Sequence, residues 1–435
     1  MAGDTSALIT RGGPSYPHQR FSLGEPWEFT LAITPDIHEL CCVTHTGSCP
    51  RGDGFTFRYL NKGAANAVFT IHPSSVVIIE KVSSKPIFQL VIELYKTDRK
   101  CLTAQPLSRE KLAGRVLRVP RGKDKTLSGD KILSSFNLLI KPLFQPAETG
   151  HTAAQMSGFR IDTNGNVIQA TLRSMQGDLC QHLMDHKGII LFPHAVCTLR
   201  SLANKDVFVG PQDGPSEMCW AILLEDMSPV PNKSVMLEIK PKWLLQSPDA
   251  PAGAIRCRTC AMQTLLPKHR ANYICPLLLL HGTPNHIRPW LSTRISKLLP
   301  TATTAPRLVQ GITEQVLAYL TTGVGRTLLQ HLAFLQSKLD PYGVLWQNNM
   351  DTSNAINFNL RAAMSLRDCS LFIKAEYDAA TGIPSNIISK LGDLDFKSEE
   401  KTLDWAEKEK RLKNEGAYTK VSQDDLGCWL PKMRV

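Results

Sequence analysis

Five strand-like runs follow one another between residues 55 and 120: FTFRYL, ANAVFTI, SVVIIEK, IFQLVIELY and RVLRVP. Each is short and rich in β-branched or aromatic side chains, the signature of strands rather than helices. Runs this closely spaced pair antiparallel, because a parallel neighbour needs a crossover of a dozen or more residues. One mostly antiparallel sheet is therefore expected here. A helical region near 130–145 and a polar, glycine-containing stretch at 149–166 lead into apolar strands and helices in alternation: GIILF, WAILLEDM, SVMLEIKPKW and a long helical pattern over roughly 309–338. The reading is α+β in two lobes: a partly ordered lead-in over 1–54, a small, mainly antiparallel lobe over 55–218 and a larger α/β lobe over 219–435.

Charge then bears on what the lobes hold. The chain carries a net +11 over 435 residues, which suits a polyanion: a nucleic acid, an anionic membrane surface or a heavily phosphorylated small molecule. The start MAGDTSALITRGGPSYPHQRF has no apolar stretch behind a basic end, and no run reaches membrane-spanning length, so a secretory signal and membrane insertion are not expected. Twelve cysteines scattered along a chain of this size fit thiols in a reducing compartment. The expectation is a soluble monomer in the nucleus, the cytoplasm or both.

The stretch VMLEIKPKWL, residues 235–244, is where the charges become organised. If it is a strand, Val235, Leu237 and Ile239 face a core, and Glu238 and Lys240 share the opposite face. Pro241 cannot donate to a ladder, so the strand ends there and presents Lys242 beside Lys240. Two further turns carry aspartates next to strands. In RDCSLFIKAEYD, Asp368 precedes a strand with Leu371 and Ile373 pointing one way. In GDLDFKSEEK, Leu394 and Phe396 point inward, while Asp393, Asp395 and Lys397 lie on the other side. Two such turns are what metal-assisted phosphoryl transfer needs: one carboxylate to accept a hydroxyl proton and another to hold Mg2+. The helix that follows has Ser398 at its cap and Gly416 at its end, with Lys401, Trp405 and Lys408 on one face.

Other motifs are weaker. NKGAANAVFTI, with Gly63 and Asn66, is a small-residue turn whose amides could approach a phosphate, or a plain hairpin. RVLRVPRGK offers Arg118 as a phosphate contact or as ordinary edge-strand charge. CWAILLEDMS reads as a buried strand leaving the core at Glu225, where a phosphotransferase can present its backbone to an adenine. IRCRTC with His269 and Cys275 gives C-x2-C-x8-H-x5-C, which has zinc-binding residue types but only one close pair. Zinc is not expected on that pattern. Arg258 in the same segment has the fork that grips phosphate oxygens in pairs.

In order along the chain, NKGAAN, VLRV, LLED, EIKPKW, CRTC, YICPL, TPNHIR, RDCSL and DLDFK together resemble the inositol-pentakisphosphate 2-kinase family over about 57–418. The resemblance implies a two-lobed, protein-kinase-like fold with an inositide-binding region in the larger lobe, and transfer of the ATP γ-phosphoryl group to the 2-hydroxyl of inositol 1,3,4,5,6-pentakisphosphate. It makes Asp368 the base and Asp393, with Asp395, the Mg2+ ligands. Gly63, Asn66, Arg118, Glu225, Glu238, Arg288 and Phe372 fall to the nucleotide. Lys240, Lys242, Arg258, Asn285, His286, Lys397, Lys401 and Trp405 fall to the inositide. The chain departs from the family where CPLLLLHG replaces CPLDLFSG, which puts Leu278 in an aspartate's place. Two rivals remain: a module that binds inositol phosphates without catalysis, and a nucleic-acid-binding protein. The second lacks stacking aromatics at RNP-like spacing.

Overall fold

The computed structural model describes residues 54–74, 113–147, 172–191, 219–266, 272–299, 306–347, 354–421 and 427–433, apart from positions 64, 123, 124 and 379 within them. It also describes strand segments at 29–31, 89–91, 95–98, 101–104, 159–161 and 167–170, and positions 196, 199, 200, 203, 207 and 208. The run SVVIIEK lies outside the described residues.

Fourteen strands occur among them: β1 Phe29–Leu31, β2 Gly54–Lys62, β3 Asn66–Ser74, β4 Gln89–Val91, β5 Tyr95–Asp98, β6 Cys101–Ala104, β7 Arg115–Pro120, β8 Phe159–Ile161, β9 Val167–Ala170, β10 Lys187–Leu191, β11 Cys219–Glu225, β12 Ser234–Ile239, β13 Ser370–Tyr377 and β14 Pro384–Gly392. Seven form one sheet in the order β1-β10-β11-β7-β3-β2-β4. All its pairings are antiparallel except that of β1 with β10, as the closely spaced runs require. β5 pairs with β6 and β8 with β9 as separate hairpins. β11 joins the seven-stranded sheet next to β7, with Ile222 opposite Arg118.

The remaining sheet is β12-β13-β14, antiparallel throughout. Its inner face is Val235, Leu237, Ile239, Leu371, Ile373, Ala375 and Leu391, all buried. Directly opposed residues share a face, so Glu238, Phe372 and Lys390 stand together on the other side. The sequence alternation of VMLEIKPKWL is observed, and the strand ends at Ile239 before Pro241.

The helices among the described residues are α1 Gly129–Ser135, α2 Arg258–Leu265, α3 Pro276–His281, α4 Pro284–Leu298, α5 Pro306–Thr321, α6 Val324–Leu339, α7 Val344–Gln347, α8 Asn354–Asp368 and α9 Thr402–Asn414, of which α1 packs on β10 and β11 of the seven-stranded sheet. Ile287, Leu291 and Ile295 of α4, Ile312 and Val316 of α5, Leu328 and Leu332 of α6 and Leu366 of α8 form one core with the three-stranded sheet. The single helical pattern expected over 309–338 is two helices. It breaks at Gly323, the N-cap of α6, where an added Cβ would come within 3.1 Å of Tyr319 backbone. After α9, Gly416 takes φ +68°, the left-handed stop expected of a C-terminal glycine. No helix among the described residues is long and apolar enough to cross a membrane.

Candidate active site

The site grows from two non-glycine residues held in left-handed backbone, Lys242 at φ +55° and Asp393 at φ +54°. That conformation is uncommon for side-chain-bearing residues, costs ~1–3 kcal/mol and persists only where the surroundings enforce it. At Lys242 the enforcement is visible. Gln336 of α6, 1% exposed, donates from Nε2 to the Lys242 carbonyl at 2.9 Å and accepts from the Leu244 amide at 3.1 Å. Between them, Trp243 lies under two guanidiniums, with Arg367 3.5 Å and Arg258 4.2 Å from its ring centroid. Arg367 is buried against Asp340 at 2.6 Å and Arg258 against Glu409 at 2.7 Å. The KPKW turn is therefore clamped from behind, and Lys242 is left facing outward.

At Asp393 the preceding residue is Gly392, where a Cβ would fall 2.8 Å from the Phe372 ring and 3.2 Å from Met184 Sδ. The chain must pass that ring without a side chain before turning.

Two charge clusters result. In the first, Asp368, the last residue of α8, is gripped by Lys242 Nζ at 2.9 Å on one oxygen and by Lys397 Nζ at 2.7 Å on the other. Burial works to raise its pKa, but Lys397 and Lys242 outweigh that and hold the carboxyl well below the usual carboxylate range. The carboxylate still reaches solvent, its side chain being 52% exposed. Lys397 is set by its own carbonyl, which accepts from Arg361 Nε at 2.7 Å. Lys401 lies close enough that burial and the Lys397 charge push its pKa down.

In the second, Lys240 Nζ lies 3.1 Å from Asp393 Oδ2, 3.2 Å from Glu238 Oε1 and 2.7 Å from Ser370 Oγ. Burial disfavours its ammonium, but Asp393 and Glu238 overcome this and hold it above the ordinary lysine value.

Asp395 does something different. Its Oδ1 takes Arg118 Nη2 at 2.6 Å and its Oδ2 takes Asn66 Nδ2 at 3.4 Å, so one carboxylate ties β3 and β7 of the large sheet to the turn after β14. Burial opposes ionisation, yet Arg118 and the neighbouring His186 hold its pKa well below the usual range. His186, stacked on Phe136 at 3.9 Å, donates from Nδ1 to the Met184 carbonyl at 2.8 Å, and burial keeps its imidazole below its ordinary pKa. Gly63 closes the β2–β3 turn through a 2.8 Å bond from its amide to the Asn66 carbonyl, and its own carbonyl accepts from Arg121. Phe372 packs with Val68, Val116, Ile222, Leu224 and Met236 in an apolar cluster between the two sheets. Glu225, at the end of β11, pairs with Lys390 of β14 at 2.9 Å.

The remaining residues singled out from sequence lie elsewhere. Arg258 is buried behind the KPKW turn, and Trp405, 7% exposed, packs there with Trp243, Val344, Leu360 and Met364. Asn285, His286 and Arg288 occupy the exposed first turn of α4. There Arg288 pairs with Glu314 of α5 at 2.7 Å and with Asn285 Oδ1 at 2.7 Å, along a groove of about 670 Å³ between α4 and α5. The hydrogen bonds described for these three reach α5 and Thr283, not the lysine cluster.

Sequence reading missed Ser370 and Gln336, whose roles depend on partners about 90 to 130 residues away. It also missed Cys428. Cys257, Cys260, Cys275 and Cys428 bring four sulfurs within 4.8 Å of one another. Cys428 supplies the partner that the 257–275 pattern lacked, and its position near the C-terminal end gives no spacing signal. His269 lies outside the described residues. The backbone amides of Cys257, Cys260 and Trp429 point at Cys428, Cys257 and Cys275 sulfurs at 3.2, 3.5 and 3.5 Å. Trp429 in turn sets its ring edge-on to His286 at 4.6 Å.

The family model of inositol-pentakisphosphate 2-kinase matches residues 59–411, from β2 to α9. A relative, the inositol-pentakisphosphate 2-kinase of Yarrowia lipolytica (strain CLIB 122 / E 150), is 29% identical over 224 residues, covering 47% of this chain and 67% of the relative.

Proposed function

The chain belongs to the inositol-pentakisphosphate 2-kinase family, and we propose on that premise that it transfers the γ-phosphoryl group of ATP to the 2-hydroxyl of inositol 1,3,4,5,6-pentakisphosphate. The observation that carries the reading is Asp368 between Lys242 and Lys397. A half-exposed carboxylate paired with two lysines is an ionised proton acceptor, and its partners are of the kind that bind phosphate. When substrate phosphates draw the ammoniums away, Asp368 loses its counter-charges. Its proton affinity then rises toward what a general base requires.

The rest of the site follows from its neighbours. We assign Lys240, Lys242, Lys397 and Lys401 to the inositide phosphates. Asp393, half exposed and carrying oxygen donors alone, suits a hard divalent cation. Such a cation would supply charge neutralisation for the transferred phosphoryl group. Asp395 has both oxygens engaged by the large sheet, and its part is to register that sheet against the Asp393 turn. The apolar cluster with Phe372 is the proposed adenine seat, and the two lobes are proposed to meet across the 226–233 connection, since β11 still pairs within the first sheet. Incubation with MgATP and pentakisphosphate, with the product's new phosphate located by NMR, tests the reading. Absence of transfer, or transfer to a position other than the 2-hydroxyl, overturns it.

The four cysteines support a structural zinc ion. A tetrahedral Zn–S distance of ~2.3 Å implies sulfur–sulfur edges of about 3.8 Å, and Cys257 and Cys275 sulfurs are 3.8 Å apart. A disulfide would need ~2.05 Å. Amides directed at the sulfurs are the support that thiolate ligands require. Zinc there would tie α2, the start of α3 and the segment 427–433 together.

A further inference from the structure

Ser370, at the start of β13, is fully buried, yet its hydroxyl is where three charged groups meet. Lys240 Nζ is 2.7 Å from its Oγ, Glu238 Oε1 2.7 Å and Asp393 Oδ2 2.9 Å. A hydroxyl has one proton to give and lone pairs to receive, an ammonium only donates, and an ionised carboxylate only accepts. Lys240 therefore fills a Ser370 lone pair, and the single Ser370 proton serves one carboxylate at a time. The other is left to Lys240, which reaches both. Ser370 and Lys240 are the hydrogen-bond partners described for the Asp393 carboxylate, and Asp393 sits on left-handed backbone that its surroundings must enforce.

We propose that Ser370 is a positioning residue for the divalent cation: by donating to Asp393 Oδ2 it fixes the carboxylate so that the other oxygen, Oδ1, is presented to the ion. Nothing is transferred in this role, and the hydroxyl keeps the same bond with and without the ion. Lys240, which shares Oδ2 with Ser370, can then leave for substrate with Asp393 still held. Without the hydroxyl, Asp393 has only the Lys240 ammonium and loses its hold when Lys240 moves to substrate. The inference rests on the assignment of Asp393 as the cation ligand.

The test measures Mn2+ binding from the EPR signal of free Mn2+, with a non-hydrolysable ATP analogue, for the wild type, Asp393→Ala, Ser370→Ala and Ser370→Thr. Outer-shell partners of metal ligands are worth about 10- to 100-fold in affinity. Ser370→Ala should weaken Mn2+ by about that factor, and Ser370→Thr should restore it. Turnover of Ser370→Ala should recover at high Mg2+. Should the added methyl of threonine lower the melting temperature, Ser370→Cys, a weaker donor, is expected to give an affinity between those of wild type and alanine. Loss of Mn2+ in Asp393→Ala with unchanged affinity in Ser370→Ala overturns the inference alone. Retention of Mn2+ by Asp393→Ala overturns the cation assignment and the inference with it.

Discussion

Replacing Asp368 by asparagine separates two things that its carboxylate does. As the proposed base it takes the hydroxyl proton, and an amide cannot. Loss of a general base costs about 10²- to 10⁴-fold, so single-turnover transfer should slow by about that much. As a counter-charge, Asp368 occupies Lys242 and Lys397 at 2.9 and 2.7 Å. Those ammoniums must leave it to reach phosphates. A unit charge pair at 4 Å is worth ~1 kcal/mol in water and ~4 kcal/mol at an effective dielectric of 20. The Asp368 side chain is 52% exposed, so the lower figure applies. Releasing ~1 kcal/mol of competition tightens pentakisphosphate binding about fivefold. Turnover and affinity are thus expected to move in opposite directions, one read by rapid quench and the other by titration calorimetry. Near-normal turnover would place the base on another residue. Slow turnover with weakened inositide binding would refute the idea that the lysines exchange Asp368 for phosphate.

Lys397→Ala should raise the pentakisphosphate dissociation constant roughly tenfold, a loss of ~1.4 kcal/mol, and flatten its salt dependence while leaving ATP affinity nearly unchanged. The opposite pattern would reverse the nucleotide and inositide sides of the cleft. Cys428→Ser should release about one equivalent of zinc by elemental analysis and lower the melting temperature; wild-type protein that binds no zinc would refute that centre. His331, buried under the Leu143 carbonyl at 3.0 Å, has its pKa pushed down to about 4 by burial. The unfolded histidine, near 6.5, takes up a proton first as pH falls. The stability involved is therefore complete above about 6.5 and lost between there and about 4, by up to ~3 kcal/mol. His331→Gln should flatten the stability profile in that window, and an unchanged slope between wild type and variant would show that other groups carry it.

How much of this was legible in the sequence depends on how far each cause reaches along the chain. The alternation in VMLEIKPKWL is local, and it correctly placed Val235, Leu237 and Ile239 inside and Glu238 and Lys240 outside. The same is true of Leu371 and Ile373 in β13, and of Leu394 and Phe396 in the turn after β14. The break at Gly323 escaped the helical pattern because apolar spacing carries on across it, while the turn there brings the backbone so close to Tyr319 that a side chain would crowd it. Trp405 shares a face with Lys401 and Lys408, and the residues that cover it, Trp243 and Met364, come from other segments, where helix spacing cannot name them. Arg258 looked like a phosphate fork for the same reason: its partner Glu409 lies 151 residues away, and nothing nearby shows that it is buried.

A hydrophobic period can reveal a strand and which way it faces, but it says nothing about which charges meet at its end. Lys242 and Asp393 both take left-handed backbone, and neither Pro241 nor Gly392 beside them requires it. Their geometry comes from Gln336 on α6 and from Ser370 on β13. Those contacts exist only once the helices have packed onto the three-stranded sheet. The charge cluster is thus a product of the finished core rather than of either turn. Charges held this way cannot relax apart, so each of these lysines is matched to a carboxylate. Because Lys242 and Lys397 take the two oxygens of the same carboxylate, substrate must displace both contacts to free it. With Asp368 as the proposed base, proton acceptance would thereby be coupled to correct seating of the phosphates.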